Sequence, residues 1–76
     1  MSAPVPHWTY RQLTGFLRAQ GCGKRREAAW SHEIWWDPQK RLYTTVPLHA
    51  GIIDTGTLRK ILRDLDIPIE RTRHQR

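Results

Sequence analysis

Ser31-His32-Glu33-Ile34-Trp35-Trp36, Asp37-Pro38-Gln39-Lys40, Arg41-Leu42-Tyr43-Thr44-Thr45-Val46: residues 31–46 read as two strands joined by a turn. Both flanks are rich in aromatic and branched side chains, which suit a pleated, half-buried surface. Asp at the first turn position and Pro at the second are the preferences of a type I turn. A connection centred on Pro38-Gln39 pairs His32 with Thr45, Ile34 with Tyr43 and Trp36 with Arg41. The other face then holds Ser31 with Val46, Glu33 with Thr44 and Trp35 with Leu42. Side chains alternate strictly between the faces of a sheet, so only one of these sets can meet a helical layer. Trp35, Leu42 and Val46 make the more apolar set, with Glu33 at its margin. His32, Trp36, Tyr43 and Arg41 are then expected on an uncovered face, whereas a three-residue connection would invert the assignment.

Upstream of the hairpin, Thr9-Tyr10-Arg11-Gln12 has the form of a capping box. Tyr10, Leu13, Phe16 and Leu17 follow at helical spacing until Gly21 supplies a stop, so a first helix is expected over about 10–20. Gly15 inside it points to close packing against the sheet, because a mid-helix glycine costs about 1 kcal/mol against alanine. Cys22 to Ala29, containing Lys24-Arg25-Arg26, reads as a short strand. Downstream, Pro47 to Gly51 is a loop, and Asp54 or Thr55 can cap a second helix. That helix carries Leu58, Ile61, Leu62 and Leu65 at i, i+3, i+4 and i+7, and Pro68 ends it. Residues 1–8, with Pro4 and Pro6, read as an extended arm, 9–69 as one domain, and 70–76 as a basic mobile tail. The order predicts an α+β fold, α-β-β-β-α, with both helices on one face of a three-stranded antiparallel sheet.

Seventy-six residues leave room for one small domain and exclude a (β/α)8 barrel or a dinucleotide-binding domain. Thirteen Lys and Arg against seven Asp and Glu give a net charge of +6, which points to a polyanionic partner. The single cysteine, Cys22, excludes an internal disulfide and any CxxC site; it reads as a small buried residue in a reducing cytoplasm. The first residues lack the apolar core of a signal peptide, and no stretch approaches the ~18 apolar residues of a membrane span. A soluble, unexported protein without a membrane partner is expected. A zincin reading of His32-Glu33 fails, because HExxH needs His where Trp36 stands. Neither a metal nor a cofactor is expected.

Three motifs, Trp30-Ser31-His32-Glu33-Ile34-Trp35, Thr45-Val46-Pro47-Leu48-His49 and Gly56-Thr57-Leu58-Arg59-Lys60-Ile61-Leu62, resemble in order and spacing the HicA family of bacterial toxins. The likeness runs from about Tyr10 to Ile67, and the chain departs from it at Trp30, where the family commonly has Gly. The resemblance implies a double-stranded-RNA-binding-like fold, a metal-independent endoribonuclease acting on messenger RNA, and a HicB-like antitoxin. The family's Gly-Ser-His motif places its essential histidine at His32.

An imidazole can take or give a proton near neutral pH, and RNA carries its own nucleophile in the ribose 2′-hydroxyl. His32 is therefore the candidate general acid or base. Lys24, Arg25, Arg26, Arg59 and Lys60 are candidate phosphate contacts, Trp36 and Tyr43 candidate base contacts, and Ser31 and His49 further RNA contacts. A non-catalytic RNA-binding module could use the same residues. A DNA-binding regulator fits poorly, since a hairpin separates the helices where a helix-turn-helix would join them.

Overall fold

The computed structural model describes residues 4–48 and 51–74, so His49 lies outside the described residues. Helix α1 spans Tyr10–Ala19, strands β1, β2 and β3 span Gly23–Glu27, His32–Asp37 and Leu42–Pro47, and helix α2 spans Thr55–Asp64. The sheet order is β1-β2-β3, with both pairings antiparallel. This is the α-β-β-β-α sandwich expected. Leu13, Phe16 and Leu17 of α1 and Leu58, Ile61 and Leu62 of α2 share one core with Trp35 and Val46, so both helices cover the same side of the sheet.

Each helix begins and ends where local chemistry can satisfy its loose backbone groups. At α1 the Thr9 hydroxyl accepts from the Gln12 amide, while the Gln12 side chain accepts from the Thr9 amide at 2.9 Å. Its far end is a Schellman turn, with the Cys22 amide donating to Leu17 O at 2.9 Å and Gly21 at φ 92°. Helix α2 is capped by the Asp54 carboxylate and closes the same way, the Ile67 amide donating to Leu62 O at 2.9 Å, with Asp66 rather than glycine at positive φ.

The hairpin register differs from expectation by two residues. His32 pairs with Pro47, Ile34 with Thr45, Trp36 with Tyr43 and Asp37 with Leu42. The connection takes four residues, 38–41, because the Asp37 side chain accepts from the amides of Gln39 (2.9 Å) and Lys40 (3.2 Å) while its carbonyl accepts from Arg41 (2.7 Å). Arg41 therefore sits in the turn at φ 59°, not on the strand face. A shift of two preserves which side each residue faces. Glu33, Trp35, Thr44 and Val46 are buried against the helices, and His32, Ile34 and Trp36 are half-buried on the other side. At the hairpin tip the Lys40 ammonium donates to the carbonyls of Leu65 (2.7 Å) and Asp66 (3.0 Å), tying the turn to the end of α2.

Two further expectations change, and the end of the arm is held: Trp8 is buried against Phe16, with ring centroids 5.0 Å apart, and its carbonyl accepts from Ile53 at 2.7 Å. The tail is wound, since Ile69–His74 forms a 3-10 helix with Ile69 against the core and Thr72 buried. Gly15 does not mark a close approach; it lies on the exposed side of α1 with open space where a Cβ would stand. Gly15→Ala should therefore stabilise the fold by about 0.5–1 kcal/mol. Urea unfolding will show this as a raised midpoint at unchanged slope.

Candidate functional site

The uncovered side of the sheet is built from alternate residues of three strands. β2 contributes His32, Ile34 and Trp36, and β3 contributes Tyr43, Thr45 and Pro47. On β1, Lys24 lies opposite Trp35 and Arg26 opposite Ile34, with the intervening Arg25 forming a bulge. Strict alternation would leave only one of Arg25 and Arg26 on the open side. The extra residue places both there: Arg26 shares the face of Ile34, and the Arg25 guanidinium lies 4.3 Å from the centre of the Trp36 ring. Trp36 in turn stacks on Tyr43, 5.4 Å away at 28°. Among the described residues no helix covers these rings, and Tyr43 is 48% exposed.

His32 opens β2 at the opposite end of this face and is half-buried. Its carbonyl accepts from the Ala28 amide at 2.9 Å, and the preceding Ser31, exposed, accepts from the Leu48 amide at 2.7 Å. These bonds fix the strand end while the imidazole remains at the surface. Trp30, two residues earlier, is 89% exposed and holds φ 61°, a conformation that suits glycine far better than a bulky residue.

Behind His32 the strand is held by Glu33. Its carboxylate accepts from the Tyr10 hydroxyl at 2.6 Å and the Trp35 indole at 2.9 Å, and pairs with Lys24 at 3.5 Å. Burial pushes this carboxyl up, but the Tyr10 and Trp35 hydrogen bonds and the Lys24 charge outweigh it, and the net direction is down. Burial and then the Glu33 carboxylate push the Tyr10 phenol up to about 12. Asp64 follows the same logic: burial raises it, but the Lys60 ammonium at 2.7 Å and the Thr44 hydroxyl at 3.0 Å bring it below the ordinary value.

The structure thus brings His32, Arg25, Arg26, Trp36 and Tyr43 to one face; Ser31 is exposed but precedes the strand. It does not bring Lys24, which turns to the helix side to meet Glu33 and Glu27. Arg59 and Lys60 sit on α2 in the helical layer, Lys60 paired with Asp64 and Arg59 lining a cleft of about 260 Å³ with Leu62, Arg63, Ile67 and Ile69. Among the described residues, no cluster of three His, Cys, Asp or Glu could hold a metal ion, and no helix is long and apolar enough to cross a membrane. Sequence reading missed the bulge and the Arg25–Trp36 contact. Their only trace is three basic residues in a row on a strand.

Fold and surface together define a small double-stranded-RNA-binding-like sandwich with one bare, cationic and aromatic sheet face. A family model for the HicA toxin of bacterial toxin–antitoxin systems matches residues 10–67, and the chain belongs to that family. No curated protein and no solved structure gives a significant match.

Two outcomes follow from this geometry. Trp30→Gly should raise stability by about 0.5–1 kcal/mol, the left-handed penalty less the added entropy of an unfolded glycine, read from the thermal midpoint. The folded state favours protonated Tyr10, so its contribution is complete below about pH 10 and lost as pH rises towards about 12. It favours ionised Glu33, whose contribution is complete above the unfolded carboxyl's pKa and lost as pH falls through the lower folded value. Tyr10→Phe should cost about 1.5–3 kcal/mol at neutral pH and flatten the alkaline limb of a stability–pH curve.

Proposed function

We propose that this toxin is an endoribonuclease acting on messenger RNA in the cytoplasm, with His32 as its general acid or base. A HicB-like antitoxin silences it by covering the open sheet face. The observation that carries this reading is the position of His32: its imidazole lies at the surface, on the same side as two arginines and two aromatic rings. An RNA strand laid along that face meets stacking surfaces, cations and a proton-transfer group together.

The chemistry needs few parts. The imidazole takes the proton of a ribose 2′-hydroxyl, the freed oxygen attacks the adjacent phosphorus, and the 5′-oxygen leaves with a proton returned to it. Arg25 and Arg26 neutralise charge on the phosphate, and the exposed Ser31, next to His32 in the chain, remains a further candidate contact. No step is routed through a metal ion. Arg59 and Lys60, in the other layer, and Lys24, on the helix side, contribute to the field that draws a polyanion to the protein. His49 keeps its sequence-based role as a second contact.

The rival reading, an RNA-binding module without catalysis, shares every residue except the proton chemistry. One substitution separates them. His32→Ala should lower RNA cleavage by about 10²–10⁴-fold and relieve growth arrest, while RNA affinity stays near that of the wild type. Equal cleavage by mutant and wild type would remove His32 from the mechanism. An absence of cleavage in both, with binding intact, would establish the binding module.

A further inference from the structure

Trp36 and Tyr43 are two large aromatic side chains that the core does not use. The buried cluster draws its aromatic members from Trp8, Phe16 and Trp35, with Tyr10 packed at its edge, and all of these lie on the helix side. On the bare side, Trp36 and Tyr43 form a stacked pair, and the bulge in β1 places the Arg25 guanidinium 4.3 Å above Trp36. The three planar groups make a pre-ordered pile at the hairpin end of the face.

From this pile we propose a base-stacking subsite: Arg25, Trp36 and Tyr43 bind one unpaired nucleotide of the RNA, close along the strand to the linkage at His32. The inference rests on the nuclease reading for its second half and on geometry alone for its first. Trp36 and His32 are four residues apart on the same face of β2, roughly 13 Å at the rise of a strand. That distance corresponds to no more than about four nucleotides at the stacked spacing of about 3.4 Å per nucleotide. Arg26, opposite Ile34, lies midway between the two ends and can meet an intervening phosphate. Together these residues describe a track: proton transfer at one end, a cation in the middle, a stacking platform at the other.

The platform selects for single strands. Bases within a duplex already stack on their neighbours and present only edges and backbone, whereas a splayed base offers a free π face. The guanidinium over Trp36 favours a nucleotide over other flat ligands, because it adds attraction for the phosphate to the stacking. The fold resembles modules that read duplex RNA by shape, yet this face is furnished for the opposite form of the polymer.

The test uses the full chain and a short fluorescein-labelled oligoribonucleotide with 2′-O-methyl groups throughout, which cannot be cut. Fluorescence anisotropy should show affinity for the single strand falling about 5- to 150-fold in Tyr43→Leu, the range expected for one lost stacking contact, and falling in Trp36→Leu as well, through loss of the ring that supports Tyr43. The salt dependence should stay unchanged in both, and Tyr43→Phe should restore binding. Arg26→Gln should instead lower the salt slope by about 0.7, the mark of one lost phosphate contact. Affinity for the same oligonucleotide annealed to its complement should not respond to the leucine substitutions. In a cleavable strand, single abasic sites should harm cutting most at one position within about four nucleotides of the cut. Folding of the variants is checked by circular dichroism, and the exposed Tyr43 is the variant best tolerated. Wild-type affinity in a folded Tyr43→Leu overturns the subsite and leaves the rings as a protein-docking patch. Ring-dependent binding by a chain that cuts no natural RNA supports the subsite and overturns the nuclease reading alone.

Discussion

A carboxylate with 4% exposure, Glu33, fixes the arrangement of everything else. It receives Tyr10 from α1, Trp35 from its own strand and Lys24 from β1, so three elements converge on one buried charge. An ionised group in that position is tolerated only when its oxygens are fully occupied, and removing a partner would leave a charge stranded away from water. The consequence for the surface is geometric. Side chains on β2 alternate, so a Glu33 held inward requires His32 and Ile34 to point outward. A slip of one residue would bury the imidazole and expose the carboxylate. The buried network therefore determines which chemistry reaches solvent.

The cations are divided by type. Lys24, Lys40 and Lys60 are each engaged inside the molecule, with Glu33 and Glu27, with the carbonyls at the end of α2, and with Asp64. The open face is left to Arg25 and Arg26. A compact ammonium suits a point contact with a carboxylate or carbonyl, whereas a planar guanidinium can lie on a ring and still present donors. On the helix side the same stacking recurs, with Arg18 placed 5.0 Å from the Trp35 ring.

Much of this was legible in the chain because the strongest signals are local. The capping box at Thr9 and the glycine at position 21 give α1 to within a residue or two; the apolar stripe gives the start and buried face of α2 but not its end, which falls at Asp64, ahead of Pro68. Sorting of the hairpin into two faces survived an error in register, since displacement by two leaves alternation intact. The register itself was hidden: a four-residue turn with Arg41 in the left-handed region lacks the glycine that would announce it. The bulge in β1 leaves no pattern that periodicity can detect, and it is what sets both arginines on one side. Glu33 looked misplaced on an apolar face because its three partners come from distant positions. Composition alone suggested that residues 70–76 were loose, yet Ile69 and Thr72 find places against the core.

The three strands form a meander in which every pairing joins neighbours in sequence, and α2 arrives only afterwards. Local hairpins form early in folding, whereas closing the second layer waits for distant segments to meet. Until Leu58, Ile61, Leu62 and Leu65 settle over the sheet, Trp35 and Val46 have only one helix above them. A ribosome that stops before the second helix thus releases a half-roofed fragment with its apolar floor open to water. Such a fragment is an open target for proteases. The two-layered sandwich is in this way reserved for a chain that has reached α2, through the order of synthesis alone.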